Sequence, residues 1–202
     1  MHRAFSYRLR PTKSQERRMV ALLDAQREVY NAALEERRGA WTWERRRVTK
    51  FEQYGQVKEL REARPEVTDF GVTVTRGTLS RLDEAFQGFF RRVRAGQTPG
   101  YPRFKGRGRW TSVSWPDASG WKVDEDARRL YLQGVGHIRL RLHQPLRGEA
   151  RTITVRRSGR HWDVTVFCAN VAARPLPATG HQVGIDLGVS VLLATSDGDL
   201  IP

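Results

Sequence analysis

The 202-residue sequence predicts an α+β protein, on three observations. An N-terminal segment alternates polar and apolar side chains, three amphipathic helical segments follow it, and beyond residue 110 the apolar period becomes two, in runs broken by glycine-containing turns.

Residues 3–9 (Arg-Ala-Phe-Ser-Tyr-Arg-Leu) read as a half-buried strand ended by Pro11, with no local partner. Thr12-Lys13-Ser14-Gln15 has the form of a capping box, so a helix of about two dozen residues should start there. Its apolar positions Met19, Leu22, Leu23, Val29, Tyr30, Ala33 and Leu34 recur at helical spacing, and Gly39 is the expected stop. A shorter helical segment is expected over 51–63, broken by Pro65. A third covers about 74–94, where Leu79, Leu82, Phe86, Phe89, Phe90 and Val93 form one stripe. Residues 95–109 (AGQTPGYPRFKGRGR) lack apolar periodicity and read as a loop. Strand patterns then centre on Val113/Trp115, Leu130/Leu132, Ile138/Leu140/Leu142, Ile153/Val155 and Trp162/Val164/Val166/Cys168, as in a small barrel or sandwich. Residues 172–181 read as a linker. Strands around 182–187 and 190–195 and an Asp197-Gly198 hairpin turn follow it.

The formal charge is +14, and it is uneven. Residues 1–110 carry twenty-five Lys and Arg against thirteen Asp and Glu; the remainder carries eleven against nine. A polyanionic partner is implied, bound mainly by the first half. No stretch approaches the roughly 18 apolar residues of a membrane span, and the N-terminus lacks a signal peptide's apolar core, so the expectation is a cytoplasmic protein without a membrane partner. The one cysteine, Cys168, excludes a disulfide framework and reads as a small buried hydrophobe. The histidines show no ligand spacing, and no serine-triad, P-loop or dinucleotide signature is present.

Two segments carry chemistry. From Arg91 to Trp110 the chain has Arg91, Arg92, Arg94, Arg103, Lys105, Arg107 and Arg109, no acid, and the aromatics Tyr101, Phe104 and Trp110 interleaved. Contiguous unneutralised cations release counterions from phosphates, and aromatic rings stack on unpaired bases. Trp41 and Trp43 beside Arg45-Arg46-Arg47 are a second candidate surface, with one buried and one exposed ring an equal alternative. Near the C-terminus, Gly184-Ile185-Asp186-Leu187-Gly188 places a carboxylate at the end of an apolar strand between glycines that admit a divalent cation and a phosphate backbone. Such a run opens ribonuclease-H-like nucleases and also actin-like and sugar-kinase ATPases. For phosphodiester hydrolysis Asp186 would be the first ligand of Mg²⁺, and further carboxylates must join it.

Several ordered blocks together resemble the TnpB (OrfB) proteins of insertion sequences, relatives of type V CRISPR effectors. They are Tyr7-Arg8-Leu9-Arg10-Pro11-Thr12, Val29-Tyr30-Asn31-Ala32-Ala33-Leu34, Leu82 through Arg91, Gly100-Tyr101-Pro102-Arg103-Phe104-Lys105, Gly136-His137-Ile138-Arg139-Leu140 and Gly184 through Gly188. The resemblance implies a wedge-like antiparallel β-barrel over 1–10 and 110–175. Into it is inserted a helical recognition domain over 11–109, with its basic loop at 95–109. Residues 176–202 would start an incomplete RNase-H-like (RuvC) nuclease domain. It implies RNA-guided DNA cleavage, with guide RNA and double-stranded target DNA as partners and Asp186 as the first catalytic aspartate. The family's catalytic Glu, zinc ribbon and final catalytic Asp are absent from this chain. It is therefore expected not to cut DNA alone, and to use Mg²⁺ only with a complete site. The alternative is a cleavage-deficient RNA/DNA-binding module, acting as a repressor or a transposition accessory.

Overall fold

The computed structural model describes residues 1–173, 180, 182–189 and 191–201. The chain divides into two compact units, Met1–Ala172 and Ala173–Pro202. Among the described residues no helix is long and apolar enough to cross a membrane.

The first unit is α+β. Its elements are β1 (Arg3–Arg10), α1 (Lys13–Glu44), α2 (Lys50–Gly55), α3 (Val57–Ala63), α4 (Pro65–Thr68), α5 (Val72–Arg94), β2 (Ser112–Trp115), β3 (Trp121–Asp124), β4 (Arg129–Leu132), β5 (Gly136–Arg141), β6 (Glu149–Ser158) and β7 (His161–Ala169). All five helices thus lie between the first and second strands in sequence.

The strands form one antiparallel sheet in the order β2-β6-β7-β1-β5-β4-β3. The strand without a local partner in sequence is central to it: Phe5 faces Val166, Tyr7 faces Val164, and Leu9 lies between Trp162 and Leu140. Alternation decides which face is inward, since a one-residue slip would expose Phe5, Tyr7 and Leu9 together. Along β5 the same rule buries Ile138 and Leu140 and turns Arg139 and Arg141 to solvent. Cys168 is fully buried, as its apolar segment implies.

Instead of the expected barrel, the sheet is open: no ladder joins edge strands β2 and β3 among the described residues. It is nevertheless strongly curled. Six interstrand steps of about 4.8 Å would put the edges of a flat sheet about 29 Å apart, but the chain from Trp115 to Trp121 spans at most about 21 Å. Gly120 accordingly lies close to both the Trp115 indole and Gln133, and the Gln133 N–H donates to its carbonyl at 2.8 Å. Strand β3 was not legible in sequence, because Trp121 and Val123 alone make too short an alternation; its hairpin with β4 pairs them with Leu132 and Leu130.

The capping box forms as expected, with Gln15 N–H donating to the Thr12 hydroxyl and Thr12 N–H donating to the Gln15 side chain. Gly39 does not stop α1. Ala40 just beyond it is buried, and that packing carries the helix on to Glu44. The stop is Arg45, in the left-handed region at φ 53, with the N–H groups of Arg45 and Arg46 closing on Trp41 and Ala40. The expected 51–63 helix is two short helices, and Pro65 opens α4 at a position where its missing N–H costs nothing.

Helix α5 approaches the sheet closely at Gly77. A Cβ there would lie 2.3 Å from the Ser114 carbonyl oxygen, so a side chain is excluded. Polar contacts cross the buried α1–α5 interface: Gln26 donates to the Thr75 hydroxyl and accepts from that of Thr78.

In the second unit, β8 (Ile185–Asp186), β9 (Leu193–Thr195) and β10 (Leu200–Ile201) form an antiparallel meander. The Asp197-Gly198 turn is present, with Gly198 at φ 93. Ile185, Leu187 and Leu200 are exposed. The linker reading of 172–181 falls largely outside the described residues.

Candidate nucleic-acid interface

The basic loop is held on the helices by a few identifiable contacts. Asn31 of α1 grips the Lys105 backbone twice: its amide donates to the Lys105 carbonyl at 3.0 Å and its oxygen accepts from the Lys105 N–H at 2.8 Å. Arg92 of α5 donates to the Gly100 carbonyl at 3.1 Å. Pro102 is buried. Arg38 lies over the Phe104 ring and Lys105 over the Tyr30 ring. Tyr101 meets Phe86 and Phe89 edge-to-face, at centroid distances of 5.6 and 5.3 Å. Loop 100–105 is therefore a positioned strip.

The cations on it are unneutralised. Among the described residues none of Arg91, Arg92, Arg94, Arg103, Lys105, Arg107 and Arg109 forms an ion pair. Three of them occupy the last turn of α5, where a positive charge complements the helix dipole. Tyr101 and Phe104 are partly exposed, at 42% and 44%. Partial burial raises the Tyr101 pKa against the opposing pull of Arg38 and Arg37, so the hydroxyl stays protonated near neutrality and can donate.

Trp110 takes no part in this surface, contrary to the sequence expectation. It is 4% exposed, with Tyr30 against it at 4.9 Å and the Arg81 guanidinium over its ring at 4.3 Å. It lies two residues before β2, and there the loop's exposed composition gives way to inward-facing core. Trp41 and Trp43 are both exposed, as is every residue from 41 to 47.

Asn31 is the contact that sequence reasoning missed. A polar residue directly after buried Tyr30 was the available signal, but its partner lies 74 positions away. Asn31→Ala should cost about 1–3 kcal/mol through loss of two hydrogen bonds and raise hydrogen exchange at the Lys105 amide. Unchanged exchange would show that the loop is held elsewhere.

Asp186 is exposed on β8, opposite Ala194 in the ladder. Asp197 and Asp199 lie in and beside the β9–β10 turn. Among the described residues no three His, Cys, Asp or Glu side chains come together to hold a metal ion. A two-ion phosphodiesterase site needs several converging carboxylates, and among the described residues Asp186 does not have two others beside it.

By fold and surface the protein is an α+β protein with a helical insertion, and its segment 91–109 carries seven basic side chains without an ion pair among the described residues. A family profile described as a helix-turn-helix domain, HTH_OrfB_IS605, matches residues 1–46; in this structure those residues are β1 and the single helix α1, with no intervening turn. A relative from Escherichia coli K12 named "Putative RNA-guided DNA endonuclease InsQ" is 28% identical over 96% of this chain and 47% of its own length. A relative from Streptomyces pristinaespiralis with the same name, lacking the suffix, is 31% identical over 98% of this chain and 49% of its own. The chain thus spans about half the length of these curated relatives. A chain in the cryo-EM structure of the Cas12f1-sgRNA-target DNA complex is similar with a TM-score of 0.44 and 12% identity, over 97% of this chain and 54% of that one. These likenesses support a member of the TnpB (OrfB) family.

Proposed function

We propose that this chain is the nucleic-acid-holding part of an RNA-guided DNA endonuclease, with guide RNA and double-stranded target DNA as its partners. The observation that carries the reading is the strip Arg91–Arg109. It is basic, free of acids, without ion pairs among the described residues, and fixed to α1 by Asn31. A pre-positioned row of cations attracts phosphates without first breaking internal ion pairs or ordering a loop. Base pairing between guide and target would read sequence, and this surface would hold backbone.

Asp186 is assigned as the first carboxylate of a RuvC-type site, acting with Mg²⁺ once further carboxylates converge on it. The names of the relatives and the Gly184–Gly188 run support that assignment.

The reading is tested by binding RNA and DNA oligonucleotides across a salt series. Replacing Arg103, Lys105, Arg107 and Arg109 together by Ala should weaken binding to all sequences alike. It should also reduce the slope of log K against log salt by up to about 3, at ~0.7–0.9 for each phosphate no longer neutralised. An unchanged slope would remove the strip from the interface.

A further inference from the structure

We propose that the cavity between α1, residues 46–48 and α5 receives one unpaired nucleobase of a bound single strand. The proposal rests on the polynucleotide reading above and adds to it a site for one base.

The cavity has a volume of about 370 Å³, within the ~300–1,000 Å³ of small-ligand sites. Trp41, Phe86, Phe89, Phe90 and Tyr101 line it. Trp41 and Phe90 are 55% and 46% exposed, so the chain leaves flat aromatic surface in water beside an open cavity. Every base has a π-face, and aromatic side chains stack on it without regard to sequence.

The polar lining suits the edge of a base. Arg37 is 8% exposed and lines the cavity. Its Nε donates to Gln53 and its Nη1 to Asp83, and the guanidinium lies over the Phe86 ring at 5.2 Å, while Nη2, itself buried, has no hydrogen-bond partner among the described residues. Gln87, also in the lining, donates its amide to Asp83 at 2.7 Å, which leaves its carbonyl oxygen as an acceptor. One donor and one acceptor match a base edge that carries carbonyl and amino groups.

At the rim, Arg47 has no ion pair among the described residues, and Arg91 follows Phe90 directly on α5. These cations suit the phosphates flanking an extruded base. They oppose a second copy of this chain as occupant, because each copy would bring its own charge of +14.

The probe is a single-stranded RNA carrying one 2-aminopurine, compared with a blunt duplex of the same sequence. Binding of the single strand should change 2-aminopurine emission. Trp41→Ala and Phe90→Ala should each weaken single-strand affinity about tenfold and leave duplex affinity within about twofold, and Phe90→Tyr should retain binding. Both rings are exposed, so the thermal midpoints should move by no more than about 2 °C. Equal losses on both probes, or no loss, would overturn the base site while the polynucleotide reading stands. Self-association of the parent chain that the variants abolish would give the cavity to a second copy. Failure of the parent chain to bind either probe would remove both readings.

Discussion

Gly77→Ala should destabilise the first unit by about 2–3 kcal/mol, although alanine is the better helix former by about 1 kcal/mol. The reason is local. The added methyl would lie 2.3 Å from the Ser114 carbonyl oxygen, a backbone atom of edge strand β2 that cannot rotate away. Relief requires α5 to lift from the sheet, and α5 also carries Asp83 of the Arg37 pair and Arg91, Arg92 and Arg94 of the cationic strip. For a body of this size the thermal midpoint should fall by about 4–10 °C. Gly39→Ala is the internal control: nothing lies within 4 Å of a Cβ there, so it should stabilise by up to about 1 kcal/mol. Calorimetry on the two variants decides the matter, and a neutral Gly77→Ala would contradict the close helix–sheet approach.

Asp186→Ala should leave RNA and DNA affinity of this chain within about twofold, because the residue is exposed on β8 and the binding strip belongs to the first unit. In a protein that supplies the remaining carboxylates, the same change should reduce DNA cleavage by about a thousandfold or more, about 4 kcal/mol of barrier. A carboxylate that would hold a metal ion there could not be replaced by a methyl group. Cleavage and binding assays on one preparation separate the two effects. Retained cutting would take Asp186 out of the site, and loss of binding would make it structural.

Local patterns recovered much of this structure from the chain. The Thr12/Gln15 cap, the inward rows of β1, β5 and β7, and Leu79 and Leu82 of α5 depend on neighbours a few positions apart, so their spacing reports them, whereas Phe90 and Val93 of the same expected stripe are exposed. The end of α1 is not legible that way, because burial of Ala40 outweighs the weak helix preference of Gly39. The strip from Arg91 to Arg109 is visible in composition. Whether each aromatic faces water or core is not, and Trp110 goes inward against Tyr30 while Tyr101 and Phe104 stay partly exposed.

From residue order alone follow the α+β class, the charge asymmetry, the resemblance to a family through ordered motifs, and Asp186 as the carboxylate to watch. The folded chain was needed to show that β1 lies mid-sheet, that the sheet curls with no ladder closing it among the described residues, that Asn31 holds the basic loop, and that an aromatic cavity opens beside it. The division follows from the range of the forces involved. Helical and strand periodicities and formal charge are properties of neighbouring residues, whereas pairing, curl and burial depend on contacts between positions up to about 170 residues apart, such as the Met1–Val171 hydrogen bond, which no local pattern encodes.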